Sequence, residues 1–234
     1  MSDTIPVDLP TPSVPDLLCR VRRIITLLGL ALFVIQVGCS LWAPDSIWQE
    51  FAGALSVNLY LWSMLGLAFL AWVAVRSIRA WLLLQPVPPP TAAYMLLLGP
   101  VYYLSALFVF HWLQIVPPEQ LPINEAIQAN PLELTVFALF AAVYEEVFFR
   151  GIAYTALAKQ YGAPVAGSII VAWFGLIHGD QNGWFWPNVA VISGVGVLLT
   201  WARWRYDSIG PGILLHFSFN ASQLLLYWLS QSAA

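Results

Sequence analysis

Charge is what this 234-residue chain has least of. Asp, Glu, Lys and Arg make up 9 % of it, against about 25 % in soluble globular domains. Histidine occurs three times and cysteine twice. Each scarcity excludes something. Cys19 and Cys39 are too few for a disulfide scaffold and stand at opposite ends of one apolar run. Nine Lys and Arg, spread along the chain, make no nucleic-acid patch. There is no glycine-rich phosphate loop, no internal repeat and no HExxH zinc-protease helix. What fills the space is apolar: 60 % of residues are hydrophobic, with a mean hydropathy of +0.75.

Runs of roughly 20 apolar residues are long enough to cross the hydrocarbon core of a bilayer. Three are plain, at 24–43, 51–75 and 94–116. A fourth, 131–158, is as long but contains a charged cluster, and three shorter ones follow at 163–178, 187–204 and 212–230. The expectation is an all-α, polytopic integral membrane bundle of about seven transmembrane helices. Arg20, Arg22, Arg23, Arg76, Arg79, Arg150, Lys159, Arg203 and Arg205 all fall on one side of that arrangement. The intervening loops carry only acidic charge. The positive-inside rule then places the N-terminus in the cytoplasm and the C-terminus outside, and the expected location is a prokaryotic inner membrane. Residues 1–19, proline-rich and acidic, read as a disordered cytoplasmic tail. Residues 20–130 hold the first three spans, and 131–234 form a four-span core.

The stretch AAVYEEVFFRGIAY, 141–154, sets three charges inside the fourth span. A charge at a helix centre costs about 2.5–3.5 kcal/mol on insertion scales, and those retained face a bundle interior and mark function. Glu146 and Arg150 are four residues apart and can pair on one face. Glu145 lies about 100° from Glu146. It remains an unneutralised carboxylate, suited to proton transfer in a cavity of low polarity. The plain structural alternative is a buried ion pair that holds helices together.

The histidines add to this. His178 ends FGLIHGD, with Phe174 one turn before it, and His216 precedes Asn220 by four residues in LLHFSFNAS. His111 has no polar companion in its turn and reads as structural. An imidazole and a carboxamide on one helix face can supply donors to an oxyanion. Glu145 and His178 lie about 21 Å in from the basic ends of their helices, by helical rise. His216, only four residues past Gly212, looks shallower, which requires a tilted span or a Gly210-Pro211-Gly212 stretch that enters the membrane before the helix begins. A deep water-filled cavity opening to the cytoplasm is the expected setting.

Taken together, EExxxR (Glu145, Glu146, Arg150), FxxxH (Phe174, His178) and HxxxN (His216, Asn220), in that order on three helices, resemble the CPBP family. These are intramembrane proteases that include the CAAX prenyl endopeptidases and bacterial Abi proteins. The resemblance covers roughly 131–230. It implies an intramembrane endopeptidase that cleaves a membrane-associated peptide or protein without a cofactor. Glu145 and His178 would activate the water, and His216 and Asn220 would form the oxyanion hole. Glu146, Arg150 and Phe174 would orient them.

Other classes use the same residues. A zinc peptidase would take His178, His216 and Glu145 or Glu146 as ligands, since three N/O ligands plus water make a catalytic zinc set. A transporter, or a non-catalytic immunity-type membrane protein, would line a path with them. Serine chemistry lacks a Gly-x-Ser-Gly around Ser168, and no Gly-x-Gly-Asp pair marks an aspartyl protease.

Overall fold

The computed structural model describes residues 14–42, 83–118, 121–129 and 131–232. Every regular element among them is helical, and none is a strand. Helix α1 (Val14–Trp42) begins inside the segment expected as a tail, with Pro15 and Asp16 in its first turn. Both suit a helix start: proline presets φ there, and a carboxylate meets the positive end of the dipole. The apolar run at 51–75 lies outside the described residues. After it come α2 (Pro89–Trp112), α3 (Pro122–Ala129) and α4 (Pro131–Glu145). A π-helical stretch (Glu146–Ala153) joins α4 to α5 (Tyr154–Tyr161) without a break. Helices α6 (Ala163–Ile177), α7 (Trp186–Tyr206) and α8 (Gly210–Ser232) complete the chain.

One described helix, α2, is long and apolar enough by length and composition to cross a membrane, and α6 is a shorter apolar helix. Only 11 % of the apolar window of α2 is buried in the protein. Its outward side carries Leu97, Leu104 and Phe108, each more than half exposed. Such a face needs an apolar surround.

Local chemistry sets the connections. Gly162 closes α5 and opens α6 at φ 82°, a conformation glycine adopts without steric cost. Pro164 then starts α6. Helix α3 falls within a loop where the sequence suggests no helix. Its first amides, from Asn124 and Glu125, bond the Leu121 carbonyl at 2.8 and 3.2 Å, and Leu121 and Ile127 are buried.

The core sits between α5, α6, α7 and α8, with α2 packed along α8. Phe148, Phe149, Trp173 and Phe174 meet in edge-to-face contacts with ring centroids 5.0–5.4 Å apart, the favoured geometry for aromatic pairs. This cluster walls one side of the charged stretch on the π-helical segment. The start of α8 is recessed: Ser208, Ile209, Gly210, Pro211 and Gly212 are all buried. The extended segment before α2 lies over it, with the Ile209 amide bonded to the Leu83 carbonyl at 3.1 Å. His216 therefore reaches the level of Glu145 only six residues into its helix. The Gly210-Pro211-Gly212 stretch is itself helical and interior.

Candidate active site

Glu145 closes α4 and Glu146 opens the π-helical stretch, so the two carboxylates leave the helix at its change of pitch. Glu146 and Arg150 are both fully buried. Arg150 Nη1 donates to Glu146 Oε1 at 2.8 Å, and Nη2 donates to the Gly196 carbonyl of α7 at 3.0 Å. The guanidinium also lies 4.5 Å from the centroid of the Phe174 ring, a cation–π contact strengthened by desolvation. Phe174 in turn stands 4.8 Å from the His178 ring and 5.7 Å from that of His216. It is the apolar wall against which both imidazoles and the arginine are set.

Each histidine has its Nδ1 committed. His178 Nδ1 lies 2.6 Å from the Phe174 carbonyl. A carbonyl only accepts, so Nδ1 carries the proton. His216 Nδ1 lies 3.2 Å from Glu146 Oε1, and a carboxylate held by arginine likewise accepts. Both Nε2 atoms are therefore free to turn elsewhere, and both face Glu145 Oε2. The separations are 3.9 Å for His178 and 3.7 Å for His216. Glu145 Oε2 itself is buried without a hydrogen bond among the described residues. Three acceptor atoms from three helices thus surround one small space, too far apart to bond one another. Side-chain exposure falls from 17 % at His178 through 9 % at Glu145 and 4 % at His216 to none at Glu146. The site is reached past His178 and closed at Glu146.

Asn220, one turn beyond His216 on α8, donates its amide to the Ala138 carbonyl of α4 at 2.8 Å. It is not bonded to Glu145, His178 or His216. His111, near the end of α2, is exposed and lies outside this cluster.

Residues 127–222 match the protein family described as type II CAAX prenyl endopeptidase Rce1-like. The matched segment is 96 of the chain's 234 residues. It holds Glu145, Glu146, Arg150, Phe174, His178, His216 and Asn220, while α1 and α2 lie outside it. The description of that family is of an endopeptidase, a peptide hydrolase. No curated protein and no solved structure matches the chain.

Several residues of the matched segment support the site without showing it in the sequence pattern. A return from π- to α-helical bonding skips one backbone carbonyl. The last π-type bond, from the Tyr154 amide to the Phe149 carbonyl, makes Arg150's the next in line. That carbonyl accepts instead from Arg203 Nε at 3.3 Å and Thr155 Oγ1 at 3.4 Å. Arg203 is buried in the last turn of α7 and anchored to Asp207 at 2.7 Å. Beyond α6, Asn182 donates to the His178 carbonyl at 2.8 Å and accepts from Asn188 at 3.2 Å.

Gly212 is a further support. A Cβ there would stand 2.9 Å from Glu146 Oε2, and Glu146 is tied to Arg150 and His216 and cannot give way. Gly212→Ala is expected to cost about 1–3 kcal/mol by overpacking and to lower peptide hydrolysis along with stability. Thermal unfolding and turnover of the purified variant check this. The motif spacing gives no hint of it.

A metal requires separate consideration. Glu145, His178 and His216 supply plausible donor types, but among the described residues no group of three His, Cys, Asp or Glu has the geometry to hold an ion. Ligand atoms bound to one tetrahedral zinc at about 2.0–2.1 Å stand roughly 3.4 Å apart. The separations here are wider.

Proposed function

We propose that this chain is an intramembrane endopeptidase that hydrolyses peptide bonds of a membrane-associated peptide or protein with a water activated by Glu145 and His178. The convergence of both Nε2 atoms on Glu145 Oε2 carries this reading. A water in that space gives one proton to Glu145 and its oxygen attacks the peptide carbonyl. The carbonyl oxygen becomes an oxyanion. With Nδ1 donating to Glu146, His216 can stabilise it from Nε2 only as an imidazolium, both of whose nitrogens donate. Asn220 has a second N–H on the amide that Ala138 engages, and it shares that role. Collapse of the tetrahedral intermediate expels the amine, which takes the proton from Glu145. General base and oxyanion stabilisation of this kind contribute about 10²–10⁴-fold and 10²–10³-fold respectively.

The same reading places the chain as a polytopic bundle in a bilayer, of the inner membrane of a prokaryote, with the basic ends of its helices in the cytoplasm. The exposed apolar side of α2 and the family match support it. Substrate specificity, including any requirement for a prenyl group, is left to the peptide itself. The direct test is cleavage of a quenched peptide library by the detergent-purified protein, with Glu145→Ala as control and with or without chelator. Cleavage lost in the variant and indifferent to chelator is expected. Cleavage lost to chelator and restored by zinc would replace this mechanism with a metal-dependent one.

A further inference from the structure

A cleft of about 240 Å³ opens between α1, the end of α5 and the first turns of α6. Its lining is polar at one end, with Arg23, Gln160 and Tyr161, and apolar at the other, with Leu27, Leu30 and Ile169, Leu27 being more than half exposed. The polar and apolar parts are ordered along the helices. Leu30 lies seven residues beyond Arg23 on α1, about 10 Å further from the basic end. Thr26, also in the lining, spends its hydroxyl on the Arg22 carbonyl at 2.8 Å, so the interior offers little to a polar ligand. Arg23 lines the polar end, and two further cations stand close to its lining along the helices. Arg20 precedes Arg23 by three residues on the same face of α1, and Lys159 precedes Gln160 on α5. Lys159 donates to Cys19 Sγ at 3.3 Å, which brings the two helices together at this edge. Among the described residues neither Arg20, Arg23 nor Lys159 is in an ion pair with a carboxylate, and no acidic residue lines the cleft.

We propose that this cleft binds one anionic phospholipid, with its phosphate at Arg23 and one acyl chain along Leu27, Leu30 and Ile169. Charge order decides the ligand: a cationic rim above an apolar trough complements a phosphodiester above a hydrocarbon chain. A soluble anion would leave the trough empty, and a zwitterionic lipid would leave the rim's excess charge unmatched. Basic residues beside a membrane surface favour anionic lipid. The site lies away from Glu145, so it rests on the bilayer-embedded bundle proposed above and not on the chemistry.

The full chain in detergent is titrated with phosphatidylglycerol, with phosphatidylcholine and with inorganic phosphate, and thermal unfolding is followed. A ligand at about ten times its Kd is expected to raise Tm by about 3–6 °C for a chain of this size. The rise is expected with phosphatidylglycerol alone. It should disappear in Arg23→Glu and in Leu27→Trp, which fills an exposed part of the trough, and persist in Arg205→Glu, whose charge is on the same end of the bundle but off the cleft. Equal shifts with the two lipids would overturn the site. So would a shift reproduced by phosphate, or one lost as fully in Arg205→Glu as in Arg23→Glu. Resistance of the native protein to carbonate extraction separates the two readings. A chain released by carbonate removes the bilayer placement, whereas one that stays and shows no lipid preference removes only this site.

Discussion

Glu145→Gln is expected to reduce peptide hydrolysis by about 10³-fold while leaving the unfolding temperature close to that of the wild type. The substitution keeps the shape and removes the charge and the base. Oε2 of Glu145 has no hydrogen bond among the described residues to lose, and its two imidazole neighbours stand at 3.7 and 3.9 Å. The loss falls within the 10²–10⁴-fold range associated with a positioned general base. It would appear in kcat with little change in KM, because the group acts on water and not on the bound peptide. Steady-state cleavage of a single defined peptide beside thermal unfolding checks both halves. Full activity in a folded Glu145→Gln protein would sink the proposed chemistry.

Arg150→Ala is expected to act in the opposite way, on stability first, by about 3–5 kcal/mol. That is the ordinary cost of stripping one partner from a buried ion pair, because the remaining charge is left uncompensated. The location of the damage can be specified. The Gly196 carbonyl keeps a donor in Thr200 Oγ1 at 2.8 Å, so it is not orphaned. Glu146 keeps only His216 Nδ1 at 3.2 Å, and its second oxygen is already without a partner among the described residues. The double variant Glu146→Gln, Arg150→Met should recover most of the lost stability, since a neutral amide still accepts from His216 and no charge is stranded. It should not recover activity, because His216 then lacks the carboxylate that holds it. Denaturant unfolding of the two singles and the double gives the coupling energy.

Much of this was open to inference from the residues and some was not, for physical reasons. Helices were legible because apolar runs of that length have no other satisfactory backbone arrangement. The Glu146–Arg150 pair follows from a spacing of four. The π-helical stretch does not, because it is stabilised by a group far away in sequence: Arg203, 53 residues on, meets the carbonyl that the change of pitch leaves over. Asn182 holding the carbonyl of His178 depends on a turn whose backbone path no periodicity encodes. The recessed start of α8 was visible only as a conflict, a histidine too shallow for its partners. Burial of Ser208 through Gly212 resolves it.

The three atoms that face one another at the centre of the site have a consequence for its protons. Two imidazole nitrogens and one carboxylate oxygen are all acceptors there. A single water has two protons to offer. With both Nδ1 positions already donating outward, the cage is one donor short whenever it holds a single water and no more. On the proposed chemistry, the proton that this water gives to Glu145 in the first step is the one the departing nitrogen needs to leave as an amine in the second. The cage thus passes one proton from water to product, and substrate binding need supply only the carbonyl.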